Sequence, residues 1–219
     1  MTTTADSSSV KRYEHTFEPG TGCLSADDLD NPDLEAIWVA GRYQIIEGVL
    51  TRMAPAYFTG GGSLIELIVL LHAYFASQNT QVRFANEAEL VLGERRVLRA
   101  DAAMMTRDDR QRQNDAAKKL GRKNLERTRL LVPPTLVIES ISPGHEYEDM
   151  ELKWRMYAEF GVPNYWVINA FTRSLICHRL LDAQYVIDCQ GRESDEIKPN
   201  AFPNLVILLG TLWETPAVN

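Results

Sequence analysis

Apolar and polar residues alternate along Arg42–Met53 (RYQIIEGVLTRM) on both sides of Glu47-Gly48. Period-two alternation around such a pair predicts a β-hairpin turning there. After Gly60-Gly61-Gly62 the pattern changes. The stretch LIELIVLLHAYF, residues 64–75, is apolar nearly all round, which predicts a substantially buried helix beginning after the glycines. Strands are expected at Val82–Leu92 and Arg96–Met105, joined at Gly93-Glu94, and a central strand at Leu136–Ile141 behind Pro133-Pro134. Asp149–Phe160 reads as a helix stopped by Gly161 and Pro163. Tyr165–Asn169, Ser174–Leu181 and Gln184–Cys189 follow as strands, with Val206–Leu209 as one more candidate. This order predicts an α/β fold with a mixed central β-sheet flanked by helices, and no internal repeat is visible.

The same pattern sets the domain organisation. Residues 1–20 are rich in Ser and Thr, close on Pro19-Gly20, and read as a flexible N-terminal arm. Ser25 can cap a short helix with Asp27 and Asp28 in its first turn. Residues 21–219 are then expected to form a single domain, a size that one core can serve. Charge breaks the uniformity at one place. Residues 107–129 hold nine Lys and Arg against four acids, so they carry +5 in a chain whose net charge is −7. Their few apolar residues keep no steady helical period, so the segment reads as a basic insertion. It is either a solvated helical stretch or an arm that contacts phosphates.

An acidic total argues against a chain coated in positive charge for nonspecific nucleic-acid binding, though not against a local basic patch. The longest apolar run, Ser63–Phe75, is interrupted by Glu66 and His72 and is too short for a bilayer span. Cys23, Cys177 and Cys189 are odd in number and contain no CxxC pair, as expected of reduced thiols in a cytoplasmic protein.

Candidate chemistry begins with Glu139. It stands in an otherwise apolar strand pattern, sharing a face with Val137 and Ile141, and a buried carboxylate there must be paired, protonated or bound to a cation. A Glu at a strand end that reaches solvent or an arginine is the plainer reading. Asp101 lies in VLRADAAMM, again among small and apolar residues, with Arg99 two positions away as a possible ion-pair partner. Together the two acids, on adjacent strands, make a hard-oxygen pair of the kind Mg²⁺ accepts. Asp149 and Lys153 are four apart on the following helix and share a face, either as a surface salt bridge or as a cation near the acids. His145 in the connecting loop is given no role.

These residues resemble the Uma-two family of restriction-endonuclease-like proteins, within the PD-(D/E)XK nuclease superfamily. The resemblance runs from about Leu24 to Glu214. It is carried by YQIIEGVLTRMAP (43–55), LRADAAMM (98–105), PPTLVIESISP (133–143), the spacing Ser142…Asp149…Lys153…Tyr157, EFGVPNYWVINA (159–170) and LLGTLWE (208–214). It implies a restriction-endonuclease-like core, with Asp101 as the first acid of the motif and Glu139 as the second. The lysine usually found two residues after the second acid is replaced by Ile141, and the resemblance moves that function to Lys153 on the next helix. Glu47 falls near an acidic position of the first hairpin and becomes a supporting group, as does Asp149. Ala100 stands where a proline often precedes the first acid, and Gly60–Gly62 occupy a stretch that is often Pro, Arg and His.

The activity implied is endonucleolytic hydrolysis of phosphodiester bonds in nucleic acid, DNA above all. Asp101 and Glu139 would hold Mg²⁺ (or Mn²⁺), and Lys153 would orient the attacking water or stabilise the crowded transition state. Lys118, Lys119, Arg122 and Lys123 would contact backbone phosphates, and the superfamily's habit of cutting two strands with two sites implies a homodimer. The alternative is a catalytically inactive nuclease-like fold that binds nucleic acid or protein, with Asp101, Glu139 and Lys153 as a structural ion-pair cluster.

Overall fold

A computed structural model describes residues 22–53, 58–121, 129–141 and 148–213; for 58–60 and 148–150 it describes the helical backbone only. The expected arm therefore lies outside the described residues, as do Arg122, Lys123, His145 and the side chain of Asp149.

A short 3-10 turn at Ala26–Asp30, with Ser25 and Asp28 in a reciprocal capping arrangement, opens the fold. It is followed by α1 (Pro32–Ala40), β1 (Tyr43–Ile46), β2 (Val49–Arg52), α2 (Phe58–Ser77), β3 (Val82–Gly93) and β4 (Arg96–Thr106). Then come α3 (Arg107–Lys119), β5 (Leu136–Ser140), α4 (Glu148–Phe160), β6 (Asn164–Asn169), β7 (Ser174–Leu181) and β8 (Gln184–Arg192). The short β9 (Glu196–Ile197), β10 (Ile207–Leu208) and α5 (Gly210–Trp213) finish the chain. The main sheet has eight strands in the order β2-β1-β4-β5-β6-β7-β8, with β3 also paired to β4. Among the described strand pairs only β5 and β6 run parallel, and α4 is the crossover between them. No helix of the described residues is long and apolar enough to cross a membrane.

The hairpin forms as expected. Glu47 and Gly48 both take positive φ, 50° and 82°, the pairing a two-residue turn between twisted strands requires. The Gly60–Gly62 run is different. It lies inside α2 rather than in front of it, so burial of Leu64, Leu67, Leu71 and Phe75 against the sheet outweighs the cost of helical glycine, about 1 kcal/mol each. The helix α1 was not anticipated. Its signal is Asn31-Pro32: the Asn31 side chain accepts the Asp33 N–H and Pro32 stands in the first turn, where its missing N–H costs nothing.

The basic segment also needs correction. Residues 107–119 are a largely exposed helix, as one of the two readings expected, but it is continuous with β4 and seated on the fold by one face. Thr106 and Asp109 cap it reciprocally. Asp109, Gln113 and Ala117, four apart, are its buried face. Asp109 accepts from the Thr135 hydroxyl and, at 3.2 Å, from the Thr135 N–H. The Gln113 amide donates to the Arg129 carbonyl at 2.8 Å and accepts from the Leu131 N–H at 2.7 Å. The seam is polar, so no apolar period could reveal it.

Two cores cover the two faces of the sheet. Leu136, Ile138, Ala102, Met104 and Trp166 pack under α2, and Val137, Ala103, Val167 and Tyr165 pack under α4 with Met156 and Tyr157. The predicted alternation of β5 is therefore correct, and Glu139 lies on the α4 side.

Candidate active site

Strand β4 changes partners along one edge. Near its start Val97 pairs with Ile45 of β1, and near its end Ala102, Ala103 and Met104 pair with Ile138, Val137 and Leu136 of β5. Asp101 sits at this fork. Asp101 and Glu139 are the next residues beyond the Ala102–Ile138 pair, where the ladder ends, and the Asp101 charge acts on both Glu139 and Tyr157 of α4. The backbone there is not wasted: the Ser140 N–H donates to Asp101 Oδ2 at 2.8 Å. The other oxygen, Oδ1, takes the Arg42 guanidinium at 3.1 Å, and Arg42 also pairs with Glu87 at 3.1 Å.

Glu139 is 6% exposed and is held by α4. Lys153 Nζ lies 3.2 Å from its Oε2, and the Tyr157 hydroxyl donates to its Oε1 at 2.8 Å. Lys153 and Tyr157 are one helical turn apart, so a single helix face delivers both donors. Burial lifts the Glu139 carboxyl to a pKa of about 7; the Lys153 charge opposes this, the Asp101 charge adds to it, and the Tyr157 bond opposes it. Burial and the neighbouring Glu139 hold the Tyr157 phenol well above its ordinary value, so it remains a donor. An interior ion pair of this kind contributes little net stability compared with apolar residues of the same volume.

The structure thus brings Asp101, Glu139 and Lys153 together, and it adds Arg42, Tyr157 and the Ser140 N–H. Sequence pattern gave no role to these three, since a backbone donor has no side-chain signature and Arg42 is remote in sequence. Tyr157 was visible only as one position of a spacing. Arg99 is not the partner of Asp101: it pairs with Glu89 at 2.9 Å and lies over the Trp38 ring at 5.2 Å. Glu47 is not brought to the acids either. It sits at the hairpin turn, 58% exposed, and binds Arg96, which also binds Glu159 at 2.6 Å. Arg96 is five residues from Asp101, about 16 Å of strand. Lys118 and Lys119 are exposed at the end of α3.

The donor set suits a small hard cation. Mg²⁺ requires only one or two carboxylates and otherwise keeps water. Among the described residues no cluster of three or more His, Cys, Asp or Glu is placed to bind a metal, so an ion here would have two carboxylates. Each carboxylate oxygen keeps a second lone pair beyond the bonds above.

Comparison with known proteins gives a family and a fold. A family profile, Uma2, described as "Putative restriction endonuclease", matches residues 37–210. No curated protein matches the chain. Among solved structures, one from Anabaena variabilis, titled a "putative nuclease belonging to DUF820", superposes with a TM-score of 0.59 at 13% identity. The match covers 78% of this chain and 89% of that one. At that identity the likeness is one of fold, a nuclease-like mixed sheet flanked by helices.

Proposed function

Because the chain belongs to the Uma2 family of restriction-endonuclease-like proteins, we propose that it is an endonuclease that hydrolyses phosphodiester bonds in DNA. The observation that carries the reading is the buried Glu139, gripped by Lys153 and Tyr157 and within reach of the Asp101 charge. Asp101 and Glu139 would hold Mg²⁺ or Mn²⁺. A divalent ion bound there supplies Lewis acidity, acidifying a water and countering charge on the nonbridging phosphate oxygens.

The remaining work falls to the chain. Lys153 keeps a cation beside Glu139 and is within reach of an incoming phosphate, so it orients the water or stabilises the five-coordinate phosphorus. Tyr157 fixes the Glu139 carboxylate through Oε1, while Oε2 accepts from Lys153. Arg42 and the Ser140 N–H hold Asp101 at the fork. Asp149, one turn before Lys153 in sequence, would steady the lysine, and Glu47 would contribute only to the hairpin. Lys118 and Lys119, exposed at the end of α3, would meet backbone phosphates together with Arg122 and Lys123. A homodimer would cut both strands, and the three free cysteines suit the cytoplasm.

The test is cleavage of supercoiled plasmid and of single-stranded DNA with Mg²⁺ or Mn²⁺, comparing wild type with Asp101→Ala and Glu139→Ala. Each variant is expected to lose activity by about 10²-fold or more. Activity that is equal in all three belongs to a contaminant and removes the proposal. No cleavage, combined with no metal binding by calorimetry, leaves the binding-module reading instead.

A further inference from the structure

Away from the acid pair, a cleft of about 500 Å³ opens between the end of α2, the start of β3 and the first turns of α3. His72, Arg83 and Arg110 line it together with Asn79, Thr80 and Gln81, and among the described residues no Asp or Glu does. The fold makes this assembly unavoidable. Val82 pairs with Thr106, the residue that caps α3, so the strand that carries Arg83 begins beside the helix that carries Arg110.

Two observations bear on these arginines, although among the described residues Arg52, Arg95, Arg107 and Arg192 likewise have no carboxylate within ion-pair distance. Arg42, Arg96, Arg99, Arg112, Arg129, Arg155, Arg173 and Arg179 all have carboxylate partners. Among the described residues no carboxylate lies within ion-pair distance of Arg83 or Arg110. In addition, Arg110 Nε is buried and has no hydrogen-bond partner. A buried guanidinium N–H without an acceptor is costly, and the natural remedy is an anionic oxygen that enters the cleft. The negative end of the α2 dipole points the other way, but it amounts to about half a charge and is partly capped. The Gln78, Asn79 and Thr80 N–H groups already bind the last carbonyls of α2. Two permanent positive charges outweigh it.

We propose that this cleft is a phosphate-binding site, in which the Arg83 and Arg110 guanidinium groups grip phosphate oxygens and the neighbouring amides and hydroxyl donate to them. The donors are forked and planar, a geometry that suits phosphate. Along β4, Met105, the partner of Arg83, is four residues from Asp101, about 13 Å of strand. Only the source of the phosphate, a nucleic-acid backbone or a small phosphorylated compound, rests on the nuclease reading; the site itself does not.

The experiment is calorimetric titration of the metal-free full chain with inorganic phosphate and with AMP. Alongside it, the anisotropy of a short labelled duplex is followed over a range of salt in EDTA, so that no cleavage intervenes. Wild type should bind phosphate at one saturable site. Arg83→Gln and Arg110→Gln should each weaken it about tenfold or more, with Arg110→Lys retaining part of the affinity. If the same variants weaken the duplex and reduce its salt slope by about one contact, the phosphate is that of a nucleic-acid backbone. If duplex binding is unchanged while phosphate and AMP are lost, it is that of a free compound. The proposal is overturned by an absence of saturable phosphate binding, or by unchanged binding in both Gln variants with wild-type circular dichroism. Failure of Asp101 and Glu139 variants to alter cleavage bears on the nuclease reading and leaves this outcome intact.

Discussion

Glu139→Gln tests the electrostatics of the acid centre directly. The carboxyl rises from an ordinary 4.5 to about 7, chiefly because it is buried. Between those values the folded chain holds a proton on Glu139 that the unfolded chain has released. Its contribution to stability is therefore complete below pH 4.5 and is lost as pH rises through about 7. A shift of this size corresponds to about 3 kcal/mol, and the variant, which cannot ionise, does not pay it. Urea unfolding of both proteins in EDTA at several values between pH 4.5 and pH 8 supplies the difference in free energy, in which most other titrations cancel. That difference should turn against wild type by about 2–3 kcal/mol across the range. Adding Mg²⁺ should recover part of it in wild type alone, since binding to the folded state stabilises it. A difference that stays flat would mean that Lys153 keeps Glu139 ionised throughout, and the argument from burial would fail.

Tyr157→Phe removes a buried donor from Glu139 and should cost about 1–3 kcal/mol; denaturant unfolding measures it, and the pH midpoint of Glu139 should move further up. Asp109→Ala removes the cap of α3 and the bonds to Thr135, with an expected loss of about 2 kcal/mol or more in the same assay. Burial alone would raise the Asp109 pKa, but the bonds from Thr135, Thr106 and Arg112 hold it below its usual value. Its contribution is thus present above about pH 4 and fades as pH falls, so the gap between Asp109→Ala and wild type should close in acid. Gly48→Ala places a methyl 2.7 Å from the Arg95 guanidinium at a φ of 82° and should cost about 1–2 kcal/mol, read as a lowered urea midpoint.

What the sequence revealed and what it hid divides along physical lines. Period-two alternation and Glu47-Gly48 were enough for the first hairpin, and the apolar run Leu136–Ile138 was enough to make Glu139 conspicuous. Lys153 was placed by resemblance, and it now has a geometric reason in the turn it shares with Tyr157. The glycines of α2 were misread because helix propensity is local while the burial that overrides it is not. The seam of α3 escaped because Asp109 and Gln113 are polar, and a hydrophobic period cannot register a face buried through hydrogen bonds. Arg42 escaped for a related reason: its partner lies 59 residues away, so only the folded sheet brings them together.

The position of Asp101 and Glu139, each one residue beyond the end of a β-ladder, also says where this chain tolerates change in length. Their juxtaposition is counted in residues from the Ala102–Ile138 pair, not set by the loop that joins the strands. Lengthening the connection between α3 and β5 leaves that count untouched and costs only the slow logarithm of loop closure. One residue inserted within β4 between Asp101 and Ala102 turns one acid to the opposite face, beneath α2 rather than α4. Relatives of this chain are therefore expected to differ freely in length after α3, while the short ladder joining the two acids keeps its spacing.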